Sequence, residues 1–111
     1  MHGHALGFIV FVAVLGVITG ALAQVGSGDA NRGHILARKL CVACHAVEVE
    51  TRTVKIFADV PTFTAIANRQ GQTAETVAGK IVLPHPPMPR VQLTRAEIAN
   101  LAVYIISLKG K

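Results

Sequence analysis

An all-α domain of three to four helices, set behind an apolar leader, is what this sequence predicts, and three observations predict it. Apolar residues recur at helical spacing behind cap residues, most completely between Thr94 and Leu108. All five prolines (Pro61, Pro84, Pro86, Pro87 and Pro89) fall between those stretches and none inside them. The apolar-polar alternation of a strand occurs only weakly, in residues 46–60. The bulk numbers bound the rest: 111 residues admit one small domain and exclude a multidomain enzyme. A chain that is 51% hydrophobic and 15% charged is not a disordered tail, and two cysteines cannot build a disulfide-dense scaffold.

The 19 residues from Ala5 to Ala23 carry no charge and end in Ala21-Leu22-Ala23, the small-x-small form read by signal peptidase. Residues 1–23 are therefore expected to be a signal peptide, or an uncleaved membrane anchor, with a buried core helix the last alternative, although Met1-His2-Gly3-His4 lacks the usual Lys or Arg of a leader. Either way residues 24–111 lie outside the cytoplasm and hold every Lys, Arg, Asp and Glu, with the whole net charge of +5. A domain this small buries a modest core, so something besides side chains is expected to complete it.

The first helix is expected from about Asp29, its N-cap, to Cys44, with Leu36 and Leu40 on its inner face and Gly33 where another helix comes close. His34 is expected on its solvent side. The helix leads into Cys41-Val42-Ala43-Cys44-His45, the C-x-x-C-H arrangement of a c-type haem attachment site. That spacing presents two thiols to the two vinyl groups of a haem, and the adjacent His45 then meets the iron from one side. A dithiol redox pair, half of a zinc site and chance compete with this reading. Zinc would have to draw on His34, His45 or His85 at poor spacing, and a thioredoxin-like pair would need a βαβ setting that this helical sequence lacks.

Residues 46–60 are expected to form an extended loop or weak hairpin. Pro61 then precedes a short helix near Phe63 to Asn68, and a third helix runs from about Ala74 to Val82, capped by Thr73 and stopped before Pro84. The segment from Leu83 to Arg90 carries four prolines, which fix φ and remove backbone donors, so it is a stiff loop. Its Met88 is the one methionine of residues 24–111. A core gap-filler gains nothing from standing between two prolines, whereas a thioether that must stay within bonding distance of iron gains preorganisation. Met88 is thus the favoured second axial ligand, with His85 and an open sixth position as rivals. The last helix opens with the capping box Thr94-Arg95-Ala96-Glu97 and carries Ile98, Leu101, Ala102, Ile105 and Leu108 at helical spacing, Tyr104 beside them and Gly110 past its end.

Taken together, Gly28-Asp29, Gly33 eight residues before Cys41, the C-x-x-C-H run, Pro61, Pro87-Met88-Pro89, and Leu101 with Tyr104 resemble a class I cytochrome c over nearly all of residues 28–109. The likeness is greatest to the short proteobacterial members. It implies the cytochrome c fold, three to four helices wrapped around one covalently bound haem, with residues 24–111 as a monohaem domain whose first and last helices cross at Gly33 against Leu101 and Tyr104. It implies one haem c attached through Cys41 and Cys44, iron ligation by His45 and Met88, and a hydrogen bond from His45 to the Pro61 carbonyl. It also implies periplasmic maturation and work as an electron carrier. Ala37 stands where many relatives place an aromatic, and the segment between His45 and Pro61 is longer than in the mitochondrial type.

A thioether-histidine pair favours the reduced iron and fills both axial positions, which argues for electron transfer rather than catalysis. The expected function is a monomeric one-electron shuttle between periplasmic or membrane redox partners. A haem subunit held on a membrane complex or dehydrogenase is the alternative, and an open-site sensor or peroxidase a more distant one. After about two negative charges from haem propionates, roughly +3 remains to steer encounter with acidic docking surfaces. Arg38, Lys39, Arg90 and Lys55 lie near the motifs in sequence and are candidates to ring the haem edge. The chain lacks the basic, aromatic-interleaved stretch that nucleic acid would require.

Overall fold

The computed structural model describes residues 27–49, 59–83 and 85–111. Residues 1–26, which include the expected leader, residues 50–58 with Lys55, and Pro84 lie outside the described residues. Within them the chain forms four helices and no strand: α1 (Ala30–Leu40), α2 (Phe63–Ala67), α3 (Ala74–Val82) and α4 (Arg95–Ser107).

Each helix starts where a side-chain oxygen can satisfy the free N–H groups of its first turn. Asp29 accepts from Arg32 N at 3.0 Å, and Thr62 from Ala65 N at 3.0 Å. Thr73 and Thr94 each form a reciprocal capping box, with Thr76 and Glu97 respectively. The capping residue of α2 is therefore Thr62, and Pro61 stands one residue earlier with its carbonyl free to accept.

The first helix ends at Leu40, before the expected Cys44. The reason is a shared acceptor: Cys41 N and Val42 N both bond to the Ala37 carbonyl, at 2.9 and 3.2 Å, which breaks the regular ladder. Leu40, expected on the inner face, is consequently 42% exposed, while Leu36 packs against the core.

Helices α1 and α4 cross closely because two glycines allow it. A methyl group at Gly33 would overlap the Asn100 carbonyl oxygen and lie 2.7 Å from Tyr104 Cβ, and one at Gly28 would overlap the Ala99 carbonyl. The nearest contacts at Gly33 are the Asn100 carbonyl and Tyr104, the second of which was expected there. Asn100 secures the crossing a second way, its Oδ1 accepting from Asp29 N at 2.7 Å. Ala37, one turn beyond Gly33, is fully buried, so its small side chain suits this crossing. The core it joins is made of Val47, Phe63, Ala67, Val77 and the α4 residues Leu101, Ala102, Tyr104, Ile105 and Leu108.

The shorter helices are fastened to this pair. Phe63 N donates to the Ala46 carbonyl at 2.9 Å, which binds the start of α2 to the residue after His45. At the other end of α2, Asn68 Oδ1 accepts from Gly110 N at 2.9 Å, tying it to the chain's last turn. Gly71 takes a positive φ of 71° in the link to α3, a conformation costly for any residue with a Cβ.

Candidate functional site

The C-x-x-C-H run occupies a turn of its own beyond α1. Cys44 N and His45 N both donate to the Cys41 carbonyl, at 3.1 and 2.9 Å, so the two cysteines and the histidine are wound on one tight turn. Both thiols are free and half-buried. Burial, with Cys44 beside it, pushes the Cys41 thiol up to about 11.

His45 is oriented by its neighbours. Its Nδ1–H donates to the Pro61 carbonyl at 2.7 Å, which fixes the tautomer and leaves the Nε2 lone pair as the ring's metal-binding position. The structure thus brings Cys41, Cys44, His45 and Pro61 together. Phe63 packs beside the imidazole at 5.3 Å between ring centroids with the planes tilted by 49°. Tyr104 meets Phe63 edge-on at 6.3 Å, and Tyr104 Oη donates to the buried Val47 carbonyl at 2.6 Å. An unbroken aromatic contact therefore runs from α4 through α2 to His45.

His34 is not simply solvent-facing. Its ring stacks on Tyr104 at 4.8 Å, and its Nε2–H donates to Glu48 Oε1 at 3.0 Å. That hydrogen bond, with the charges of His34 and Arg38, holds the Glu48 carboxyl below the usual carboxylate range. Arg38 Nε lies 3.7 Å from the same carboxylate, and Arg38, Lys39 and Arg90 are all exposed.

Met88 lies in the loop after α3. A shallow depression there is lined by Ile81, Val82, Leu83, His85, Met88, Pro89 and Arg90, and includes none of the attachment-motif residues. His85 and Met88 face each other across an antiparallel bridge, with Met88 N donating to the His85 carbonyl at 3.0 Å. The Pro86-Pro87 peptide between them is cis. Val82 and Leu83 are large, apolar and more than half exposed.

These residues suit a haem. Two free thiols sit on the turn that carries an imidazole with its Nε2 uncommitted, a thioether stands elsewhere on the chain, and exposed apolar side chains at Leu40, Val42, Val82 and Leu83 offer a surface to a flat apolar macrocycle. No group of three or more His, Cys, Asp or Glu side chains that could hold a metal ion by themselves occurs among the described residues.

Phe63, Val47, Glu48 and Asn100 are the parts that sequence reasoning missed. Phe63, two residues after Pro61, was the one legible in principle, because the residue holding the histidine by its carbonyl must also bring its own neighbours close.

Residues 30–109 match the cytochrome c family. The chain is 37% identical over 109 residues to cytochrome c-552 of Bradyrhizobium diazoefficiens strain USDA 110, a match covering 98% of this chain and 99% of that protein. Among solved structures nothing matches.

Proposed function

This chain belongs to the cytochrome c family, and from that premise we propose that it shuttles single electrons between periplasmic redox proteins with His45 and Met88 as axial ligands. As a family member it carries a covalent haem c and is an electron carrier rather than an enzyme. Cys41 and Cys44 are its two cysteines and the proposed points of attachment.

Bound haem c supplies a reversible one-electron couple. Everything else is done by the chain. His45 Nδ1–H, held by Pro61, leaves Nε2 as the ring's donor atom and makes the ring a better donor, and this 2.7 Å bond is the observation that carries the reading. Phe63, packed beside that ring and backed by Tyr104, restricts its rotation. Met88, set between Pro87 and Pro89, would supply a soft donor that favours the reduced state and, held at the iron, would keep small oxidants away from it. Lys39 and Arg90, exposed and basic, support an encounter with an acidic partner surface.

The test is optical. Purified mature protein is expected to show a six-coordinate low-spin spectrum with the weak far-red sulfur-to-iron band and no prompt CO binding. Met88→Ala is expected to abolish that band while the haem stays covalently attached. An unchanged ferric spectrum in the variant would remove Met88 from the iron.

A further inference from the structure

His85, the rival of Met88 in the sequence, carries the same preparation for iron as His45. Its Nδ1–H donates to a backbone carbonyl, that of Leu83 at 3.0 Å, just as His45 donates to Pro61 at 2.7 Å. In both rings the tautomer is set and the Nε2 lone pair is the one left over. The third histidine of the described residues differs, because His34 spends Nε2 on Glu48.

Position reinforces the parallel. His85 and Met88 are the two directly opposed residues of the antiparallel bridge, and residues so paired project their side chains to the same face. Both line the same depression, with Val82 and Leu83 beside them. The imidazole and thioether arms are of comparable length from Cβ, so a group delivered by Met88 and one delivered by His85 sweep the same space.

We propose that His85 is a standby axial ligand, whose Nε2 takes the iron when Met88 Sδ leaves it. This rests on Met88 being the resident ligand. The exchange breaks one iron–sulfur bond and forms one iron–nitrogen bond, and no electron or proton moves, since Nε2 already bears its lone pair. Its consequence is that losing the thioether lowers the potential, as expected for two imidazoles, without opening the iron to small molecules.

The experiment compares full-length matured wild-type protein with His85→Ala, Met88→Ala and His85→Ala/Met88→Ala by absorption, low-temperature EPR and CO binding. Met88→Ala is expected to lose the sulfur band yet stay six-coordinate and low-spin, with a bis-imidazole EPR signal and slow CO uptake. The double variant is expected to become high-spin and bind CO promptly, while His85→Ala matches wild type. A Met88→Ala protein as high-spin and CO-reactive as the double variant would overturn the standby role and leave the Met88 reading intact, and so would a double variant that remains low-spin. A wild type without the sulfur band, or a His85→Ala protein that loses its low-spin state, would overturn the Met88 reading itself. The same comparison with Met88→Val in place of Met88→Ala serves if the alanine variant does not accumulate.

Discussion

At Gly33 the obstruction to any side chain is backbone, the Asn100 carbonyl, which cannot swing aside as a flexible side chain would. Gly33→Ala is therefore expected to separate α1 from α4 and to destabilise the folded protein by about 3 kcal/mol, the upper range for overpacking. A denaturant titration that left the midpoint unmoved would show that the crossing can open at no cost. Tyr104 has a different role, because its hydroxyl gives the buried Val47 carbonyl its donor at 2.6 Å. Tyr104→Phe keeps the ring and orphans that carbonyl, and is expected to cost about 1–3 kcal/mol. The two substitutions would divide by mechanism, one acting through volume and the other through an unsatisfied acceptor. Burial raises the Tyr104 hydroxyl above its ordinary pKa, with Glu48 adding to the rise, so it stays a donor throughout the neutral range.

Among the elements, α4 owes its start to Glu97, whose carboxylate accepts from Thr94 N at 2.7 Å and from Thr94 Oγ1 at 2.8 Å. These bonds lower its pKa in the folded state. The stabilisation is then fully present above the ordinary carboxylate range and lost as pH falls through the lowered folded value. Glu97→Gln, which keeps the cap and removes the charge, is expected to make stability less pH-dependent in the acid range, as thermal unfolding between about pH 3 and 6 would show. A slope equal to that of wild type would mean the charge is silent. The helices themselves were largely readable in the sequence, because caps and breakers act locally: Thr73 and Thr94 announce α3 and α4, and α3 spans the predicted Ala74–Val82. What could not be read depends on contacts distant in sequence. The early end of α1 turns on which N–H groups reach the Ala37 carbonyl, and the pairing of His34 with Glu48 joins residues 14 apart across the attachment turn. The candidate site divides the same way: Cys41, Cys44 and His45 are contiguous and Met88 is marked by its prolines, whereas Phe63 beside His45 is set only by the folded path.

For the molecule as a whole, the core is small. Its large buried side chains among the described residues are Phe63, Leu101, Tyr104, Ile105 and Leu108, while large apolar residues stay exposed at Leu40, Val82 and Leu83. A set this limited falls short of what small domains need to fold on side chains alone. Replacing both cysteines, Cys41→Ala/Cys44→Ala, is therefore expected to yield a haem-free chain that has lost most of its far-ultraviolet helical signal. Retention of wild-type helicity would show that the four helices close without the cofactor. The remaining whole-molecule property is its charge of +5. With the acidic partner proposed above, electron transfer is expected to be fastest at low salt and to slow as ionic strength rises, as stopped-flow kinetics across a salt series would show.

The bond between Asp29 and Asn100 joins residues 71 apart, and this separation orders events in time. A chain made from its N-terminus presents Cys41-Val42-Ala43-Cys44-His45 long before α4 has been synthesised. Until then α1 has no partner at Gly33, and the attachment turn cannot be locked into its final setting. The closing of α1 against α4 is thus a late event in the making of the chain, possible only once residue 100 has been added.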